Sequence, residues 1–173
     1  MTGKPVLPLL RGGDRRTIGR SNQAVFAVSK DPKLFSDLIA GLWSADPLVR
    51  MRAADAAEKA TRKSPELLFP YRRELLGLMS ETEQQEVRWH LAAMVPRLPL
   101  NAKERGMAVS SLTGYLEDRS SIVKTSALQG LADLAQDDPS LRPRLIEILR
   151  EARGNGTPAM KARSRKLLLR LDT

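Results

Sequence analysis

Apolar residues fall into the same columns four times along the chain. Val49, Ala53, Ala56, Ala57 and Ala60 make the first set, and Val87, Leu91, Met94, Val95 and Leu98 the second. Val123, Ala127, Gly130, Leu131 and Leu134 follow, then Met160, Ser164, Leu167, Leu168 and Leu171. Offsets of 0, 4, 7, 8 and 11 trace one stripe on a 3.6-residue helix. Each set opens on an apolar–basic pair (Val49-Arg50, Val87-Arg88, Val123-Lys124, Met160-Lys161) at spacings of 38, 36 and 37 residues. A period of that length with the stripe in register predicts a helical repeat array.

Second helices fill the gaps. Residues 67–79 carry Leu68, Tyr71, Leu75, Leu78 and Met79, and residues 102–116 carry Met107, Ser111, Leu112, Tyr115 and Leu116. Residues 141–152 carry Leu145, Ile148 and Leu149. Upstream, residues 32–43 read as the second helix of a first unit, with 22–29 (Val25, Phe26, Val28) as its partner. This makes about nine helices in units of about 22–45, 46–80, 83–117, 120–153 and 157–171. They form a single domain, 22–173, after a basic, glycine-containing arm or strap at 1–21. Capping chemistry marks the boundaries. Asp31, Asp46, Ser64, Asp138 and Thr157 each precede a proline, and Asn101 with Glu104 forms a capping-box pattern. Sustained strand-like alternation is absent, so the chain reads as all-α.

The unit resembles a HEAT repeat, a helical pair whose first helix opens Asp-Pro-x-Val-Arg. Asp46-Pro47-Leu48-Val49-Arg50 follows that pattern closely, Glu86-Val87-Arg88 and Ile122-Val123-Lys124 loosely, and Met160-Lys161 in its last pair alone. The resemblance covers residues 22–171. It implies an armadillo-like, right-handed α-solenoid of about four and a half repeats, with first helices convex and second helices concave. Function follows less directly, because HEAT arrays serve as scaffolds, transport factors, enzymes and DNA-repair proteins. A distant likeness to the HEAT-like alkyl-purine DNA glycosylases would assign roles to Trp43, Trp89 and Asp55.

Charge is uneven. With 29 Lys and Arg against 20 Asp and Glu, the formal net charge is +9. Residues 1–20 hold five basic residues and one acid, and residues 140–173 hold nine and three; the stretch between is nearly neutral. In the last helix Arg163, Arg165, Lys166 and Arg170, with Lys161, form a cationic face opposite the stripe. It reads either as the solvated cap of the array or as a partner site. The Arg11–Arg20 segment reads as a disordered arm or as a strap that tucks Ile18 under the first unit. The column Arg50, Arg88, Lys124 and Lys161 reads as an inter-repeat salt-bridge ladder, with Asp46, Asp55, Glu58, Glu86 and Asp133 as its acids, in preference to an anion track. Trp43 reads as a core junction; Trp89 is open between a junction and a groove anchor.

No nucleophile, base and metal set converges in the pattern. Cysteine is absent and His90 is the single histidine, so no catalytic residue, cofactor or metal is expected. A run of 18 apolar residues is missing, as is a secretory-type leader, so a cytoplasmic protein is expected. The expected function is a non-enzymatic binding or scaffold module for a protein partner. Its candidate contacts are Arg72, Arg73, Trp89, Lys103, Arg105, Arg142, Arg144, Arg163, Arg165, Lys166 and Arg170. Nucleic-acid binding through the basic ends is the alternative, and glycosylase-like repair is less favoured.

Overall fold

The computed structural model describes residues 5–14 and 16–171; Lys4 and Arg15 of the basic arm lie outside them. Among the described residues there are ten α-helices and no strand. They are α1 (Leu7–Leu10), α2 (Ser21–Lys30), α3 (Phe35–Gly41), α4 (Pro47–Ala60), α5 (Arg72–Glu81), α6 (Gln85–Met94), α7 (Ala102–Tyr115), α8 (Ser121–Asp137), α9 (Arg142–Asn155) and α10 (Pro158–Leu171). Two compact units divide the chain, Met1–Arg72 and Arg73–Thr173. Among the described residues, no helix is long and apolar enough to cross a membrane.

The stripe sets the core of each unit. Every residue at offsets 0, 4, 7 and 8 in α4, α6, α8 and α10 or the turn after α6 is buried; Ala60 and Leu171, at offset 11, are half-buried. In the first unit α4 packs against α1, α2 and α3. In the second, α8 is the central helix, packed by α6, α7, α9 and α10. Close approach requires small side chains on α8: a Cβ on Gly130 would lie 2.7 Å from the Ala92 carbonyl oxygen. That distance is shorter than a van der Waals contact allows, so only glycine fits where α6 crosses α8.

The helix boundaries follow capping and proline chemistry. Asp46 accepts from the Leu48 N–H (2.9 Å) and Asp138 from that of Ser140 (3.1 Å). Asn101 and Glu104 form the reciprocal capping box, at 2.9 and 3.0 Å. Three second helices begin as 3₁₀ turns, Pro32–Leu34, Pro65–Tyr71 and Pro139–Leu141, where continuous helices were expected. Pro70 explains the longest of these turns, because it lacks an N–H to donate. Ser64 makes no side-chain cap.

Several expectations fail at single residues. A helix was not expected before residue 22, yet α1 packs against α2, α3 and α4, with Val6 and Leu10 fully buried. Ile18 is exposed instead of tucked in. Trp43 is 48% exposed, since α3 ends at Gly41 and leaves the ring in the following turn. Phe26 and Met107 also face solvent, and the Phe26 ring lies under the Lys30 ammonium at 5.3 Å.

The core makes two predictions for urea unfolding. Leu131→Ala should cost about 2–5 kcal/mol, because the buried side chain would leave a cavity beside α8. Ser164→Ala should stabilise by about 1 kcal/mol, since the Ser164 hydroxyl is buried without a hydrogen-bond partner among the described residues. A rise in the urea midpoint at unchanged slope is the expected signature of the second variant.

Candidate interaction groove and basic surfaces

Two helices that both lean on α8 leave a groove between them. α7 and α9 each pack against α8, and a cleft of about 320 Å³ lies over it. Its floor is Leu128, Ile148 and Met160, and its edges carry Glu117, Glu151, Lys124 and Arg144. A smaller recess of about 60 Å³ shares Thr113, Arg144 and Ile148 with the cleft and adds Val109, Leu131 and Leu145. The groove is therefore apolar at one end and charged, with both signs, at the other. Thr157 lines the cleft, and its hydroxyl meets that of Ser121 at 2.7 Å, joining the first turns of α8 and α10.

Of the residues expected to make contacts, Arg144 lines both recesses. Its guanidinium also donates to Glu147 at 2.8 Å, an exposed pair worth little to stability. Arg142, on the same turn of α9, and Lys103, at the start of α7, are exposed. Arg105 is tied down, donating to Asp138 (3.3 Å) and to the Leu100 carbonyl (3.2 Å). Arg73 is exposed on α5, which Arg72 opens half-buried. Trp89 is half-buried, its ring tilted at 59° against His90 with centroids 5.7 Å apart.

The cationic face of α10 is partly consumed internally. Arg163 donates to the Gln129 side-chain oxygen at 2.5 Å and Arg170 to Asp133 at 3.3 Å, while the Gln129 amide bonds the same carboxylate at 2.7 Å. These contacts fasten α10 to α8. Arg165 and Lys166 remain exposed.

Two arginines of the column reach back to the loops that precede their helices. Arg50 donates to the Ser44 carbonyl (2.8 Å) and Arg88 to the Thr82 carbonyl (2.7 Å), each six residues upstream. A guanidinium at the start of a helix thus folds back over the loop that delivers the helix. Four of the five acids named for the ladder have partners outside the column: Asp46 caps its own helix, Asp55 holds Ser21 and Lys59, Glu58 holds Arg62, and Asp133 holds Arg170. Asp118, an acid outside that set, also meets the column, 2.6 Å from Arg88. Asp55 is buried, with Ser21 at 2.6 Å and Lys59 at 2.8 Å on the same oxygen. A carboxylate so occupied is poorly placed to attack a substrate.

Arg88 also anchors a buried cluster. Its guanidinium lies 5.2 Å from the centroid of the Tyr115 ring, and the Tyr115 hydroxyl donates to the Met79 carbonyl at 2.6 Å. Burial drives the Tyr115 phenol well above its ordinary pKa, with Arg88 opposing. For Asp118 burial acts upward, but the Ser120 N–H and then Arg88 outweigh it and hold the carboxyl below the usual range. Among the described residues, no three His, Asp or Glu side chains converge as a metal site. Comparison with protein-family models and with curated proteins finds no match.

The lowered Asp118 value predicts a pH signature. Its contribution should be complete above the unfolded carboxylate value of about 3.9 and disappear as pH falls through the lower folded value. Asp118→Asn should cost on the order of 1–3 kcal/mol at neutral pH, because it removes a charged hydrogen-bond partner from Arg88. Urea unfolding in neutral and acid buffer checks this, with the difference from the parent chain shrinking in acid.

Proposed function

We propose that the chain is a non-enzymatic, cytoplasmic binding module, a right-handed α-solenoid of HEAT-like repeats, whose partner is a protein segment seated between α7 and α9. The four buried stripes in matching columns support the repeat reading. The observation that carries the function is the groove itself. Its apolar floor at Leu128, Ile148 and Met160 suits one or two apolar side chains, and its edges offer charges of both signs. Glu117 and Glu151 face the same space as Lys124 and Arg144, which suits a peptide of mixed charge and repels a phosphate backbone. Nucleic-acid binding through α10 is the weaker reading, because Arg163 and Arg170 are engaged with Gln129 and Asp133.

The test is selection from a phage-displayed random peptide library on the immobilised full chain. Peptides enriched on the parent should bind Thr113→Trp at least about tenfold more weakly, a difference of about 1.4 kcal/mol. Thr113 is exposed and lines both recesses, so the indole fills the groove without entering the core. Failure to enrich any peptide, together with DNA binding that weakens steeply with salt, overturns the proposal in favour of a polyanion partner.

A further inference from the structure

Arg52 is 1% exposed, although it is a charged residue on α4. Among the described residues its hydrogen-bond partners are all backbone carbonyls of the amino-terminal segment. Nη1 donates to Leu10 (3.2 Å) and Gly12, Nη2 to Asp14 (3.1 Å) and Thr17 (3.4 Å), and Nε also to Thr17 (3.4 Å). All three nitrogens of the planar fork are thereby used. Gly19 closes the cage at φ +54°, and a Cβ there would lie 2.6 Å from the Arg52 Cζ.

We propose that residues 6–20 are a detachable cap, clasped onto the first unit by Arg52, that lifts from α2, α3 and α4 without unfolding them. Beneath the cap, α1 packs on all three helices, and Leu7 and Leu10 sit over Gly41, where a Cβ would meet them at 3.3 and 3.6 Å. The loop itself buries no apolar side chain: residues 11–14 and 16–20 are exposed. Arg52 is the side chain of α4 that grips the loop; the Val6 N–H on Asp37 (3.1 Å) assists at the near end, and the Ile18 and Arg20 carbonyls join it to the start of α2 at the far end. The helices below keep contacts of their own, α2 and α3 each packing on α4 around Ala24, Leu38, Leu42 and Ala53. A region joined through so few groups opens at a lower free energy than the core beneath it. The clasp is thus a guanidinium held by backbone carbonyl oxygens. Its chemical competitor is a free guanidinium ion.

Trypsin cleavage after the exposed Arg16 and Arg20 of the full chain reads the open population when reclosing is fast. Arg52→Met should speed cleavage by at least about tenfold, the factor by which the open population rises, while hydrogen exchange in α2–α4 stays slow. Gly19→Val, which drives a side chain into the guanidinium from the cap side, should do the same with Arg52 intact. In Arg52→Ala, guanidinium chloride far below denaturing concentrations should restore protection, and sodium chloride of equal strength should not. The proposal is overturned if both Arg52→Met and Gly19→Val keep the cap protected, or if both lose protection in α2–α4 along with it. Absence of rescue by guanidinium also refutes the cage as the clasp.

Discussion

Close approach at the central helices governs both units. A helix packed on three or four sides has no room for bulk where the backbones cross, and α8 answers with Ala127, Gly130, Ala132 and Ala135, all buried. α4 does likewise with Ala53, Ala54, Ala56 and Ala57. Larger apolar side chains from the surrounding helices pack against these small positions: Leu91 and Met94 from α6, Leu112 from α7, Leu149 from α9. α7 and α9 both pack on α8, and the cleft is lined by α8 at Leu128.

Polar contacts then secure what packing has positioned. Long-range bonds in the second unit join a helix to the loop or helix one repeat away, among them Arg88 to Asp118, Arg105 to Asp138, Tyr115 to Met79, Arg163 to Gln129 and Arg170 to Asp133. Sequence separations of 30 to 37 residues are close to the repeat length. Repetition of sequence is thus converted into repetition of contact, and Arg105, Arg163 and Arg170, which look available for a partner, are already employed.

The stripe was legible in the sequence because burial on a helix is periodic and local. Ala53, Leu91 and Ala127 are buried where spacing alone put them. The capping box at Asn101 was legible for the same reason, since its bonds span three residues. Trp43 was misjudged because its burial depended on whether α3 ran two residues further. Arg52 gave no signal: its partners lie 35 to 42 residues upstream and are backbone oxygens, which every sequence possesses. The glycines at 12, 13 and 19, all with positive φ, were the one visible trace. The groove was hidden as well, being a gap between α7 and α9 that depends on how each rests on a third helix.

Arg52 has a practical consequence for anyone trimming this chain. Removing the first twenty residues looks harmless on paper, as the deleted stretch is short, charged and glycine-containing. It would strip every hydrogen-bond acceptor described for a guanidinium set in an alanine-lined wall, and uncover the leucine seat beside it. A charge without partners and an adjoining greasy patch together invite self-association. Shortened versions should therefore carry a neutral residue at position 52, so that the new end is merely bare instead of sticky and charged.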